Sequence, residues 1–252
     1  MDKDWLATLN RIWATKKQWK QLVRSLLSVG LVFLYFSLNG CQPEQFKSPA
    51  AQGSQLILCT LTDPKTFNYA NNQTFPNIFL FAYEGLTTEN GMTGEIEPAL
   101  AESWQISSDR KRITFLLRDG LKWSDGMPLT ADDVVFTYRD VVFNPDIPTD
   151  AKDTIRIGPN ETFPNGVFPE VRKISDRQVE FLLPEPFAPF LRATAGPDGV
   201  MIMPKHALED SLKTKGSDGN LKFISTWNTD TPPSQIIVNG PYLLESYVAG
   251  QR

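Results

Sequence analysis

The side chains that could carry out acid–base chemistry in this chain are its carboxylates and a single histidine. Asp132 and Asp133 are adjacent, and a pair of carboxylates flanking a sugar is what a glycosidase uses. Asp133, however, lies three residues after Thr130, which is the spacing of a reciprocal helix-capping pair. Asp132 then falls in the first helical turn, where a negative charge suits the helix dipole. We therefore predict structural roles for both carboxylates.

A nucleophilic hydrolase would have to use His206, because it is the only histidine in the 252 residues. The sequence contains no Gly-x-Ser-x-Gly turn of the kind that presents a catalytic serine. It also lacks the glycine-rich motifs that bind phosphate or a dinucleotide. We expect a surface or capping role for His206, and a binding protein without a cofactor instead of an enzyme.

Cysteine use excludes two further classes of protein. The chain has only Cys41 and Cys59, so a disulfide-built domain and a zinc site both lack the residues they need. Cys59 lies in the apolar, strand-like run LILCTL and is predicted to be a small buried side chain.

Ligand contacts are predicted where this first apolar run ends. In open α/β sheets, ligands lie beyond the carboxyl ends of the strands. Polar side chains follow at Thr62, Asp63, Asn68 and Asn71, and Tyr83 offers a ring face and a hydroxyl further along. For each of these residues the alternative is ordinary loop hydrogen bonding or core packing.

The elements that must position these side chains alternate between strand and helix patterns. Residues 112–118 (RITFLLR) alternate in polarity and predict a strand, as do residues 177–183. Residues 98–104 do not alternate and are predicted to be a short helical or turn segment. Asp119-Gly120 and Asp125-Gly126 predict turns, and Thr130 with Asp133 predicts the start of a helix. Short strands that alternate with helices indicate an α/β or α+β class.

Two further segments have predicted conformations. Residues 143–169 are rich in Pro, Asp and Asn and should be mostly loop. Residues 207–215 are predicted to form a short polar helix.

Residues 98–134 resemble a known protein family. PALAESW at 98–104, FLLRDG at 115–120, WSDG at 123–126 and LTADDV at 129–134 resemble the ordered signature of the bacterial extracellular solute-binding proteins of family 5. These are the dipeptide, oligopeptide and nickel receptors of ABC importers.

The resemblance extends in both directions from the signature. It includes 56–68, FAYEGL at 81–86, the strand at 171–190 that ends in a proline-rich turn, and NGPY at 239–242, where Asn stands in place of the usual Thr. It therefore covers residues 55–252.

The resemblance implies a fold and a function. The fold is an α/β, periplasmic-binding-protein-like (type II) lobe, and the function is capture of a peptide or similar small solute for the transmembrane subunits of an ABC permease. Family members are roughly twice this length, so we expect a truncated lobe without the second lobe that closes over the ligand. The resemblance also implies that the carboxylate anchoring a peptide's amino group comes from a later part of such receptors. A nickel chelate is the alternative to a peptide as the ligand. The alternative to a working receptor is a non-functional fragment or one half of a split receptor.

The first forty residues have the pattern of an export signal. Residues 1–24 carry six basic side chains against two acidic ones, and residues 25–38 contain no charge. That apolar run is shorter than the roughly 20 residues that span a bilayer and suits a secretory signal. LNGC at 38–41 then resembles a lipobox. We expect a lipoprotein signal peptide at 1–40, acylation of Cys41 that anchors the protein to a membrane outside the cytoplasm, and a flexible tether at 41–54. An uncleaved membrane anchor is the alternative.

The charge balance bears on partners. The whole chain has 25 Lys and Arg against 29 Asp and Glu, and residues beyond position 40 carry a net charge of −8 once the leader's side chains are left out. This acidic balance argues against a nucleic-acid partner and against binding to anionic lipid through surface charge.

Overall fold

A four-stranded antiparallel sheet forms the centre of the structure, which is a computed structural model that describes residues 62–71, 78–196 and 199–250. These residues all belong to one unit, Cys59–Arg252. The predicted leader at 1–40, the lipidation site Cys41, the tether at 41–54 and the apolar run around Cys59 lie outside the described residues.

Helices and strands follow one another in a mixed order. The strands are β1 Thr87–Glu89, β2 Ile96–Pro98, β3 Ala101–Ile106, β4 Arg112–Leu117, β5 Glu170–Ser175 and β6 Gln178–Leu182. The α-helices are α1 Phe79–Ala82, α2 Ala131–Val135, α3 Ala151–Ile155, α4 Phe190–Ala193, α5 Lys205–Lys213 and α6 Lys222–Ser225. A π-helix spans Phe136–Val142, and 3₁₀ turns span Tyr69–Asn71 and Pro233–Gln235.

The sheet has the strand order β3-β4-β6-β5, and β1 and β2 form a separate antiparallel pair. In the two central strands, β4 and β6, every second side chain is apolar and buried, which explains why they form the middle of the sheet. In β4, Ile113, Phe115 and Leu117 are buried, and in β6, Val179 and Phe181 are buried. The rings of Phe115 and Phe181 meet edge to face at 5.8 Å. The strand predictions for 112–118 and 177–183 are confirmed.

The prediction of a helical or turn segment at 98–104 is wrong. Strand β3 begins at Ala101 and pairs with β4, with a register shift between Ala101 and Ser103. A bulge of this kind places an extra residue in one strand and interrupts the alternation of side chains. The sequence therefore does not show the two-residue period by which a strand is recognised.

Helix α2 begins as predicted. Thr130 Oγ1 accepts a hydrogen bond from the Asp132 N–H at 3.3 Å, and Asp133 Oδ2 accepts one from the Thr130 N–H at 2.9 Å. The helix continues directly into the π-helix, whose Tyr138 packs edge to face on Phe181 at 4.8 Å. This contact packs the π-helix against the central strand β6.

A second apolar cluster lies beside the sheet core. It contains Phe67, Tyr69, Phe79, Tyr83, Phe136, Met201, Met203, Phe223 and Trp227. Helix α5 contributes the buried Leu208 to it and packs Leu212 against it. The helix predicted at 207–215 is confirmed, with both ends two residues earlier in the chain. The segment 143–169 is mostly loop as predicted, with α3 as its one α-helix within the described residues.

Candidate functional site

Two distant segments of the chain run side by side and form one wall of a cavity. The Gly240 N–H donates to the Ala82 carbonyl at 2.8 Å, and the Tyr242 N–H donates to the Phe81 carbonyl at 3.2 Å. The Asn239 side chain extends this contact, because its Oδ1 accepts from the Glu84 N–H at 2.9 Å. The FAYEGL and NGPY segments, far apart in sequence, are thus joined by hydrogen bonds.

Close approach of the two backbones explains the glycine at position 240. A Cβ built there would lie 2.5 Å from the Phe81 carbonyl oxygen and 2.6 Å from the Ala82 carbonyl carbon. Contacts that short with backbone atoms cannot be relieved by a side-chain rotation. Glycine is therefore required if the strand-like contact is to form.

The WSDG turn joins the same assembly. The Ser124 N–H donates to the Val238 carbonyl at 2.9 Å, and Ser124 Oγ accepts from the Val238 N–H at 3.1 Å. Arg118, at the end of β4, donates from Nε to the Ala99 carbonyl at 2.6 Å. Residues of the FAYEGL, PALAESW, FLLRDG and NGPY segments therefore lie around one place in the fold, and the WSDG turn holds the neighbouring Val238.

A cavity of about 380 Å³ lies at this place. Its walls combine apolar residues, two threonines and two charged residues. The apolar part includes Leu80, Pro98, Ala99 and Pro241, the threonines are Thr87 and Thr88, and the charged residues are Glu84 and Arg118. A cavity of this size and composition fits a small polar molecule.

The carboxylate of Glu84 has an unusual environment in this cavity. Burial raises the pKa of Glu84, and the Arg118 guanidinium partly opposes that rise. Glu84 also has a fixed backbone, since its carbonyl accepts from the Ile202 N–H at 3.0 Å. The arrangement presents one negative and one positive group to the same small volume.

Tyr83, a predicted ligand contact, is a lining residue of this cavity. It is 2% exposed, and its ring packs against Tyr69 and Phe79. Its hydroxyl is buried without a hydrogen-bond partner among the described residues, and burial raises the pKa of that hydroxyl. Its role in ligand binding stays a prediction.

The other predicted contacts lie elsewhere, around the 3₁₀ turn Tyr69–Asn71. Asn68 is fully buried; its Nδ2 donates to the Phe223 carbonyl at 2.9 Å and its Oδ1 accepts from the Ala70 N–H at 3.1 Å. Asn71 Nδ2 donates to the Ile224 carbonyl at 3.1 Å, whereas its Oδ1 is buried and unpartnered within the described part of the chain. These two amides hold the turn against α6.

Thr62 and Asp63 are both exposed. Asp63 Oδ2 accepts a hydrogen bond from the Gly250 N–H at 2.9 Å. Of the five predicted contacts, only Tyr83 lines the cavity. The other four lie elsewhere, and their roles in ligand binding stay predictions.

The carboxylates weighed for catalysis have structural partners. Asp133 Oδ1 accepts from the Lys205 N–H at 2.9 Å, which ties the start of α2 to the start of α5. Asp132 pairs with Lys173 at 2.5 Å. His206 Nε2 lies 2.8 Å from Asp125 Oδ2, an arrangement that supports the expected surface role.

Glu84, Arg118 and Asn239 were not predicted from the sequence to be parts of a site. One available signal was the charge at Glu84, which interrupts an otherwise apolar and aromatic run at 79–86. Nothing in the sequence indicated that Arg118 would line the same cavity as Glu84 or that Asn239 would bond the Glu84 backbone, because these residues are far apart in the chain.

No group of three or more His, Cys, Asp or Glu side chains in 62–71, 78–196 and 199–250 is arranged to hold a metal ion. No helix in those ranges has the length and apolar character needed to cross a membrane.

Comparison with known proteins gives a consistent picture. Residues 95–252 match the family model for bacterial extracellular solute-binding proteins, family 5, middle region. The dipeptide-binding protein of Escherichia coli is 31% identical over 216 residues, which is 81% of this chain and 37% of that protein. The chain spans only 30% to 38% of the length of the first curated relatives it matches.

Solved structures agree on the fold. The murein tripeptide-binding protein MppA of Escherichia coli superposes with a TM-score of 0.56 at 26% identity, over 75% of this chain and 35% of that chain. The periplasmic binding protein MelB of Agrobacterium fabrum, solved with stachyose, superposes with a TM-score of 0.60 at 25% identity, over 75% of this chain and 28% of that one.

Proposed function

Because the chain belongs to family 5 of the bacterial extracellular solute-binding proteins, we propose that it is the solute-capturing subunit of an ABC importer, which passes its solute to the transmembrane subunits of a permease. The match of residues 95–252 is the observation that carries this proposal. The resemblance seen in the sequence is confirmed, as is the α/β, periplasmic-binding-protein-like fold. The family is one of binding proteins, in agreement with the prediction of a binder and not an enzyme.

Peptides are the solute class that we propose. Support comes from the relatives named for dipeptides and a murein tripeptide and from a cavity that carries one carboxylate and one guanidinium. The stachyose complex of MelB makes a carbohydrate the competing class, and a nickel chelate remains an alternative.

A thermal-unfolding experiment separates these classes. The full chain, kept in mild detergent, would be unfolded alone and with equal concentrations of dipeptides, tripeptides, stachyose or a nickel–histidine complex. A bound ligand stabilises the folded state by mass action, so we expect the peptides to raise the melting temperature. A rise with stachyose or the nickel complex alone would overturn the peptide assignment.

Thr62, Asp63, Asn68, Asn71 and Tyr83 are proposed to contact the solute. Thr62 and Asp63 are exposed and so accessible to a solute. Asn71 Oδ1, which has no hydrogen-bond partner among the described residues, offers a buried acceptor for a donor group of the solute. The amide of Asn68 is already used by backbone groups. We expect Asn71→Ala to weaken binding more than Thr62→Ala in the same assay, and equal binding by both variants would argue against the Asn71 contact.

A lipid anchor at Cys41 is the proposed mode of attachment, with residues 1–40 as the signal peptide and 41–54 as the tether. Support comes from the charge-free run at 25–38 followed at once by LNGC. Two or more acyl chains are enough for stable membrane association. Mass spectrometry of the protein from bacterial membranes should show a diacylated N-terminal Cys41, and Cys41→Ala should abolish the modification. A mature protein that retains residues 1–40 would show an uncleaved anchor instead.

The share of the relatives that this chain spans affects how the function is tested. A solute that is held between two lobes needs contacts from both lobes. We propose that the described residues supply the contacts on one side of the site. The alternative is a split or non-functional piece of such a receptor. DNA sequence beyond the codon for Arg252 distinguishes the two, since a continuation that encodes the rest of the relatives' length would favour a working receptor.

A further inference from the structure

A second cavity, of about 500 Å³, lies between the turn that joins β3 to β4 and the proline-rich segment at 184–189. None of the described residues that line it also lines the cavity at Glu84. Most of its lining residues are apolar, and one is an arginine, Arg110. The two cavities are therefore separate places in the fold.

Backbone contacts hold the two walls of this second cavity together. The Leu183 N–H donates to the Lys111 carbonyl at 2.7 Å, and Lys111 Nζ donates to the Pro184 carbonyl at 2.9 Å. The turn itself is closed by the Ser107 N–H, which donates to the Arg112 carbonyl at 2.9 Å. The cavity is thus formed before any ligand arrives, as is usual for small-molecule sites.

The apolar lining extends from the core of the sheet to the surface. Phe190 is buried and its ring meets that of Phe181 at 5.1 Å, whereas Phe187 is half-buried and Ile106 is 48% exposed. All three line the cavity except Phe181, which lies behind Phe190 in the core. Apolar surface that is left in contact with water is stabilised when an apolar molecule covers it.

Arg110 is the one charged residue among the described residues that line the cavity. It is exposed, and its guanidinium makes no hydrogen bond or ion pair within the described part of the chain. The neighbouring Asp109 carboxylate is already engaged, because it accepts from the Ser107 hydroxyl and from the Lys111 N–H. A free guanidinium offers paired N–H donors that match the two oxygens of a carboxylate.

The backbone of Arg110 is a second reason to assign its side chain a role. Its φ is 57°, in the left-handed region that glycine adopts without strain and other residues seldom enter. An arginine at this position therefore has a conformational cost that a glycine would avoid. Strain of this kind is found where a side chain is used for binding.

From these observations we propose that the cavity binds a small monocarboxylate with an apolar body, such as an arylalkanoate. The carboxylate pairs with Arg110, and the apolar body packs against Phe187 and Ile106. A neutral molecule of the same shape would leave the guanidinium without its partner, and an amine would place two cations together. This site goes beyond the proposed function, since it lies outside the cavity at Glu84.

Equilibrium dialysis tests the proposal with three probes of one shape. Phenylbutanoate carries the carboxylate, phenylbutanol is neutral and phenylbutylamine is a cation. The full chain would be held in phosphatidylcholine vesicles, with protein-free vesicles as the reference for uptake by the lipid. We expect phenylbutanoate to bind at least about tenfold more tightly than phenylbutanol, and phenylbutylamine to bind more weakly than both.

Variants assign the two parts of the ligand to their residues. Arg110→Gly removes the guanidinium and suits the left-handed backbone, so it should weaken phenylbutanoate binding about tenfold without lowering the melting temperature. Its affinity for phenylbutanol should be unchanged. Ile106→Thr should weaken both probes by the same factor, because it alters only the apolar wall. Lys215→Gln, at an exposed position outside the cavity, is the matched control and should bind like the unaltered chain.

The outcomes distinguish this site from the solute cavity. Equal binding of phenylbutanoate by the unaltered chain and Arg110→Gly would overturn the proposal, as would equal binding of all three probes. Displacement of phenylbutanoate by an excess of glycylglycine would indicate the solute cavity instead and would also overturn it. Absence of phenylbutanoate binding would overturn this site alone and leave peptide capture standing.

Discussion

The side chain of Asn239 accepts a hydrogen bond from the backbone N–H of Glu84 at 2.9 Å, and its Nδ2 lies 3.5 Å from the Glu84 carbonyl oxygen. One amide therefore engages both polar backbone groups of a residue 155 positions earlier in the chain. Because Glu84 carries the carboxylate of the cavity, these two contacts of Asn239 help to fix the position of that carboxylate.

Asn239→Ala should lower the free energy of unfolding by about 1 kcal/mol, the usual net value of a partly buried hydrogen bond. Urea unfolding of the full chain measures this difference. Asn239→Asp retains an acceptor for the Glu84 N–H and serves as the control, with a smaller loss. Equal stability of Asn239→Ala and the unaltered chain would show that the bond contributes nothing.

The stability of the chain should depend on pH through Glu84. Burial raises the pKa of Glu84 in the folded state, so folding favours the protonated carboxyl group. The stability that folding gains from this protonated carboxyl group is fully present below the usual glutamate pKa. It is lost as pH rises through the raised pKa of Glu84 in the folded state. Glu84→Gln should therefore be more stable than the unaltered chain near pH 7, with the difference vanishing near about pH 4.

Melting temperatures of both proteins, taken at intervals over that pH range, test the Glu84 prediction. Glu95→Gln is the control for removing one exposed carboxylate. A constant difference at all pH values would contradict the assigned role of burial.

Gly240→Ala should destabilise the chain by about 2 kcal/mol or more, because its Cβ would collide with backbone atoms of Phe81 and Ala82. Gly91→Ala is a matched control, since a Cβ there meets nothing within 4 Å. Thermal or urea unfolding compares the two variants. Similar small effects would mean that the NGPY segment is not held as closely against α1 as described.

Asp133→Ala should cost about 2–4 kcal/mol, because two backbone N–H groups, of Thr130 and Lys205, lose their acceptor together. Asp132→Ala loses only a partly exposed ion pair with Lys173 and should cost less than about 1 kcal/mol. Chemical unfolding of the two neighbouring variants tests the assignment of cap and surface roles. A larger loss for Asp132→Ala would reverse it.

Tyr83→Phe should leave stability unchanged or raise it by about 1 kcal/mol, because it removes a buried hydroxyl that has no partner within the described part of the chain. Tyr69→Phe provides the contrast, since the Tyr69 hydroxyl donates to the Gly199 carbonyl at 2.7 Å, and its loss should destabilise the chain by about 1 kcal/mol. Peptide titration of Tyr83→Phe then tests the predicted ligand contact separately from folding.

Local patterns predicted much of the fold. The period of two in 112–118 predicted β4 because every second side chain of that strand enters the core. The spacing of Thr130 and Asp133 predicted the start of α2 because capping involves only residues within one turn. Strand β3 was missed because its bulge between Ala101 and Ser103 breaks the period on which the prediction depends.

The sequence by itself determined the family, the central strands, the capped helix and the expectation of a binder. These follow from the order and spacing of residues that are neighbours along the chain. The tertiary structure alone decided that Glu84 and Arg118 line one cavity and that Asn239 bonds the Glu84 backbone, since both depend on how the segments after α1 and β4 pack with residues 239–242. It also decided that the Asn68 side chain donates a hydrogen bond to the Phe223 carbonyl. Such contacts join residues far apart in sequence, and no local pattern records which distant partner a polar side chain will find.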